Sequence, residues 1–153
     1  MHESSHSRKI IGFDAFGKFP SQPNELDQTF VRHFETHAGN GISIEELHAV
    51  CSHKNIQNYE LIQGDVLKTL PEYVQRHPEL KIALLHIDVD VYEPSKAALE
   101  HLYHRIVPGG LLVLDDYGTV EGETRAVDEF FQDQNIVIEK LPLSHIPAFV
   151  RKK

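Results

Sequence analysis

Two apolar runs of strand length, each ending in carboxylates, fix the centre of the fold. They are Leu84-Leu85-His86-Ile87-Asp88-Val89-Asp90 and Leu111-Leu112-Val113-Leu114-Asp115-Asp116-Tyr117. The stretch between them, Ser95 to Ile106, has a helical pattern and closes at Pro108-Gly109-Gly110. Strand, helix and strand in that order form a βαβ unit, right-handed and with parallel strands. If the strands are neighbours, their C-terminal ends lie about 5 Å apart. Asp88, Asp115 and Asp116 then meet at the sheet edge where open α/β folds bind their ligands.

Three carboxylates so close repel one another, and like charges sharing a site raise a pKa unless something positive sits between them. A hard, oxygen-seeking divalent cation, Mg²⁺ or Mn²⁺ rather than zinc, is the simplest answer. One acid at a strand end is often only a solvated loop residue or a helix cap. The combination of Asp88-x-Asp90 with Asp115-Asp116 marks a site instead, because clustered titratable groups do so.

The rest of the composition narrows the function. A chain of 153 residues is one domain with room for a core, and 41% apolar and 25% charged residues are those of an ordinary globular protein. A net charge of -8 with scattered basic residues argues against nucleic acid or an anionic membrane as partner. Cys51 has no second cysteine to bridge and falls in a predicted helix, where it reads as core packing. With no apolar run of about 18 residues and no apolar signal core near Met1, the expectation is a cytoplasmic protein. The eleven histidines do not recur at ligand spacings. His33 and His37, and likewise His101 and His104, read as surface pairs, and His86 reads as a buried histidine with a partner.

Elsewhere the order of elements is regular. Lys9 to Phe13 reads as a strand delivering Asp14 to the ligand edge, and Glu25 to Thr36 as a helix with Leu26, Phe30 and Phe34 at four-residue spacing. Ser43-x-x-Glu46 is a capping-box pattern before the stripe Ile44, Leu47, Val50 and Cys51. Tyr59 to Gln63 is a strand ending in Gly64-Asp65. Val66 to Arg76 then reads as a helix, with its start placed at about Thr69 or Leu70, since Pro71 is tolerated only near a helix start. A helix over Gly122 to Asp133 and strands over Ile136 to Leu141 and Ile146 to Val150 complete an α/β fold with a mainly parallel sheet.

With Phe13-Asp14-Ala15-Phe16-Gly17-Lys18-Phe19-Pro20, "DVDVYEPSKAALEHLY" from Asp88 and "VPGGLLVLDDYG" from Val107 in place, the chain resembles the macrocin O-methyltransferase family. Arg125-Ala126-Val127-Asp128-Glu129-Phe130 fits as well, and the resemblance covers residues 8 to 151. It implies a Rossmann-like class I methyltransferase fold, S-adenosylmethionine as cofactor and Mg²⁺ beside the hydroxyl of a sugar or other small-molecule acceptor. By matching motif, Asp14 would hold the cofactor ribose and Asp65 would lie near its adenine amino group. Asp88, Asp115 and Asp116 would be the metal ligands. Asp88 and Asp90 are the candidate catalytic acids, Asp90 as a general base or as an acid behind the ligands. Tyr92 and Tyr117 are candidates for the acceptor pocket or for packing.

The family's fold opens with another strand and a glycine-rich loop, an element not found before Ile10. The expectation is a partial class I methyltransferase domain over residues 8–153 without that first strand, preceded by a disordered tail over residues 1–7. The strands ending in Asp14 and Asp88 should then pair directly, or stay open and invite either a second chain, as in a homo-oligomer, or aggregation. A C-terminal portion of a longer enzyme, a truncated product and a degenerate relative all fit. The competing reading is a methyltransferase-like binding or assembly module without catalysis. Two further Asp-x-Asp chemistries, nucleotide-sugar glycosyl transfer and phosphoryl transfer of the haloacid dehalogenase type, fit less well: the first does not need the Asp115-Asp116 pair, and the second places its acids on the opening strand.

Overall fold

The computed structural model describes residues 8–21, 25–39 and 41–153, so the tail expected over residues 1–7 lies outside the described residues. The elements run β1 (Ile10–Asp14), α1 (Glu25–Ala38), α2 (Ile44–His53), β2 (Tyr59–Gln63), α3 (Val66–Arg76), β3 (Ile82–Ile87) and α4 (Tyr92–Leu102). A short 3₁₀ turn, Tyr103–Arg105, leads into β4 (Ile106–Leu114), followed by α5 (Glu121–Phe131), β5 (Glu139–Lys140) and β6 (Ala148–Arg151). Among the described residues, no helix is long and apolar enough to cross a membrane.

The predicted βαβ unit is the core of the molecule. β3 and β4 are parallel, with Leu85 opposite Leu112 and Ile87 opposite Leu114. Strand side chains alternate between faces, so Leu85 and Ile87 are buried while Leu84 and His86 face outward. Helix α4 turns Ala98, Leu99 and Leu102 inward and packs on α5, which contributes Ala126, Val127 and Phe131. Tyr103 closes this layer edge-on against Phe130 and Phe131, with ring centroids 5.5 and 5.0 Å away. On the far side of β4 the chain returns antiparallel: Leu112 pairs with Val150 and Leu114 with Ala148, and β5 adds to β6. The fold is therefore α/β with parallel pairs at β1–β2 and β3–β4 and an antiparallel edge.

β1 and β3 do not share a sheet. β1 pairs in parallel with β2, from Ile10 opposite Tyr59 to Asp14 opposite Gln63, and this pair is separate from the β3-β4-β6-β5 sheet. Of the two predicted outcomes, direct pairing is the one not adopted. The β1–β2 pair is instead seated through α3, where Phe13 meets Tyr73 edge-on at 5.3 Å.

Several local boundaries differ from expectation for identifiable reasons. Helix α3 starts at Val66 rather than near Thr69, because Asp65 caps it: the Asp65 carboxylate accepts from Leu67 N–H at 3.0 Å, and its carbonyl accepts from Lys68 and Thr69 at 2.9 Å. Satisfying those orphan donors outweighs the one helical bond that Pro71 cannot make. Pro108-Gly109-Gly110 lies inside β4 instead of closing a helix, at an irregularity in the β3–β4 register. A Cβ on Gly110 would sit 2.7 Å from the Ile106 side chain and 2.9 Å from the Ala83 carbonyl, so only glycine lets the strands approach there. The expected strand over residues 136–141 shrinks to Glu139–Lys140. Helix α2 has the predicted reciprocal capping box of Ser43 and Glu46 and a buried Cys51, but Val50, expected on the apolar stripe, is exposed.

Leu99 has 0% exposure at the centre of this core. Leu99→Ala should cost about 3 kcal/mol, read as a lower urea midpoint at unchanged slope. A loss below about 1 kcal/mol would show that α4 is not packed as described.

Candidate functional site: an acidic cluster at the ends of β3 and β4

The main-chain ladder between β3 and β4 brings the acids together. The Asp115 N–H donates to the Ile87 carbonyl at 3.1 Å, one step beyond the last strand pair, and sets Asp115 beside Asp88. Oxygens of Asp88, Asp115 and Asp116 all lie within 4.8 Å of one another. Three hard oxygen donors at that spacing, open to solvent on the Asp88 side, suit Mg²⁺ or Mn²⁺.

The electrostatics carry the mark of that crowding. Loss of water around its carboxyl, then repulsion from Asp115, raises the Asp88 pKa above the usual carboxylate range; nearby His86 opposes the shift, while Asp116 and Asp14 add to it. Asp116 is raised for the same two reasons, burial first and Asp115 second. Asp90 is pushed up to about 7, mainly by burial, then by Asp116 and Asp88, and its carboxyl hydrogen-bonds to that of Asp116. A carboxyl poised near neutrality beside charged oxygens can accept or release a proton at physiological pH.

Two acids that sequence reasoning passed over stand behind the cluster. Glu123, on α5, is 0% exposed, and its Oε1 accepts from the Asp116 N–H at 3.1 Å. Its Oε2 has no hydrogen-bond partner among the described residues, and burial pushes its pKa up to about 8. Asp27, on α1, is buried and accepts from the Tyr92 N–H. The signal for both was a carboxylate on the apolar stripe of an amphipathic helix: Glu123 with Ala126 and Val127, Asp27 with Phe30.

The other predicted residues are placed as follows. Asp14 ends β1 and accepts from the Phe16 N–H at 2.6 Å, in a turn where Phe16 and Gly17 have φ of 53° and 152°. Gly64, just after β2, donates its N–H to the Asp14 carbonyl at 2.9 Å, so Asp14 and Asp65 share one edge. Asp65 spends its carboxylate on the α3 cap and faces Lys68 Nζ at 3.9 Å. His86 is not buried, a correction to the expectation; its side chain is 46% exposed and its Nε2 lies 3.3 Å from Asp115 Oδ1. An outward position on a strand covered from one face explains it. Tyr92 and Tyr117 both brace α5, donating to Glu129 at 2.6 Å and Asp128 at 2.8 Å. His33 and His37 form an exposed pair with tilted rings, their centroids 4.3 Å apart.

Comparison with known proteins gives this geometry a family. Residues 1–152 match the family described as Macrocin-O-methyltransferase (TylF). The chain belongs to that family. It is 32% identical over 115 residues to 8-demethyl-8-(2,3-dimethoxy-alpha-L-rhamnosyl)-tetracenomycin-C 4'-O-methyltransferase of Streptomyces olivaceus, covering 72% of this chain and 42% of that protein. Among solved structures it is similar to CalS11, a TDP-rhamnose 3'-O-methyltransferase of calicheamicin biosynthesis, at 27% identity and a TM-score of 0.64. That match covers 94% of this chain and 58% of CalS11. The O-methyltransferase NovP shares the fold, with a TM-score of 0.81 over 96% of this chain and 61% of its own. The chain thus spans roughly half the length of these relatives.

The raised acids predict a pH dependence. Asp90 and Glu123 bind a proton more tightly folded than unfolded, so their contribution to stability is whole below the ordinary carboxyl values of 3.8 and 4.5 and is lost as pH rises through about 7 and about 8. In chelator-treated protein, the thermal midpoint should fall between about pH 4 and pH 8, and Glu123→Gln should flatten the upper part of that fall. A midpoint that rises over this range would contradict the assignment.

Proposed function

We propose that this chain carries the metal and acceptor edge of an S-adenosylmethionine-dependent O-methyltransferase acting on a hydroxyl of a sugar or similar small molecule. In this reading residues 8–153 are a partial class I methyltransferase domain. The observation that carries it is the set of three carboxylates within 4.8 Å at the β3 and β4 ends, in a chain of this family. Asp88, Asp115 and Asp116 would hold Mg²⁺, and their mutual repulsion without a cation supports that fit. Bound there, the ion supplies positive charge that lowers the pKa of an acceptor hydroxyl and orients it. Asp90, hydrogen-bonded to Asp116 beside the proposed ligands, is the general base. Asp14, at the tip of β1 and near enough to Asp88 to add to its repulsion, is the cofactor-ribose residue. Asp65 adjoins the adenine end through its backbone, because its carboxylate is engaged in the α3 cap. The names of two similar enzymes refer to rhamnose or rhamnosyl compounds, so rhamnosylated acceptors are the first class to try.

The rival reading, a metal-responsive binding module without catalysis, draws on one observation. β1 and β3 lie in separate sheets, so no main-chain ladder joins the Asp14 edge to the Asp88 edge. Isothermal titration with S-adenosylmethionine, with and without Mg²⁺, separates the two. Micromolar binding, followed by Mg²⁺-dependent methyl transfer to a rhamnosylated acceptor, supports the enzyme. Folded protein that binds Mg²⁺ but no cofactor supports the module. In either case Asp115→Asn should weaken Mg²⁺ binding by at least about tenfold, and unchanged affinity would remove Asp115 from the ligand set.

A further inference from the structure

Among the described side chains of α1 one is buried, and it is a carboxylate: Asp27, 1% exposed. Both of its oxygens lie 3.0 Å from the backbone N–H of Tyr92, 65 residues further along the chain. Tyr92 opens α4, and the N-cap position before it is held by Val91, whose side chain makes no capping bond. Helix α4 therefore takes its cap from another helix.

The residues just before that cap hold a strained turn. Asp90 has φ of 63°, and the Val91 N–H donates back to the Val89 carbonyl at 2.6 Å, making Asp90 the centre of a three-residue turn of left-handed sense. A side chain in that conformation persists only where its surroundings over-determine it. Here the Glu123 N–H, on α5, donates to the Asp90 carbonyl at 3.1 Å, and Asp27 grips the chain two residues on. The junction is closed to the size of a methyl group. A Cβ on Gly122 would lie 2.8 Å from Asp27 Oδ1, 2.8 Å from Tyr92 N and 3.0 Å from the Asp90 carbonyl oxygen.

We propose that Asp27 is a positioning residue: by capping α4 from α1 it fixes the Val89–Asp90–Val91 turn, and so couples the seating of α1 to the placement of Asp90 against Asp116. The functional half of this statement rests on the cation and acceptor reading of the acid cluster. The mechanical half does not. A residue that only added stability would leave the turn no looser than the rest of the domain when removed.

Amide hydrogen exchange on the full chain tests the mechanical half. Asp27→Ala should speed exchange over residues 91–95 by about tenfold relative to residues 112–114. Asp27→Asn, which keeps an oxygen acceptor, should stay within about threefold of the parent. Gly122→Ala should loosen the same segment by crowding the junction, and it decides the question if Asp27→Ala fails to fold. Exchange over residues 91–95 that is unchanged, or accelerated equally with residues 112–114, overturns the proposal. Mn²⁺ titration tests the functional half: Asp27→Ala should bind about tenfold more weakly, with Asp27→Asn restoring affinity. Equal affinity in parent and Asp27→Ala overturns the coupling. A parent that binds no Mn²⁺ defeats the cation reading, and the exchange result then decides the positioning role by itself.

Discussion

The structure depends on the β3–β4 ladder, because that ladder holds together groups that would otherwise separate. Two carboxylates about 5 Å apart repel by about 3 kcal/mol at an effective dielectric of about 20, a large share of the margin by which a domain is stable. The Asp115 N–H on the Ile87 carbonyl, with Leu85, Ile87, Leu112 and Leu114 packed beneath, keeps Asp88 and Asp115 adjacent despite that repulsion. Apolar burial on one face of the sheet thus stabilises an unfavourable charge arrangement at its end.

Behind the cluster the chain changes direction under constraint. The left-handed turn at Asp90 and the start of α4 are set by groups from α1 and α5, so three helices converge on the loop that carries the acids. Glu123 adds a buried carboxyl to the same region and holds the Asp116 backbone. Charge accumulates here while the surrounding side chains exclude water, which is why Asp90 and Glu123 retain protons to higher pH than ordinary carboxyls.

Much of this was readable from the chain alone. The apolar runs Leu84 to Ile87 and Leu111 to Leu114 carried the βαβ unit, and the carboxylates at their ends carried the cluster, because strand register leaves few alternatives. The capping box at Ser43 and Glu46 was equally local. What escaped was non-local. Pro71 argued for a late start of α3, but Asp65 supplied enough capping to start it early. Pro108-Gly109-Gly110 has the composition of a turn, yet the close approach of Ala83 makes it part of a strand. The outward face of His86 depended on which face of the sheet is covered, and the roles of Asp27 and Glu123 depended on contacts across the fold that no spacing reveals.

Anomalous scattering from crystals of the chain soaked in Mn²⁺ locates the ion without reference to activity. The arrangement of Asp88, Asp115 and Asp116 predicts one strong peak between their carboxylates, lost in Asp115→Asn crystals. No peak there, or a peak held by other residues while this cluster stays metal-free, would contradict the cation site on which the functional reading stands.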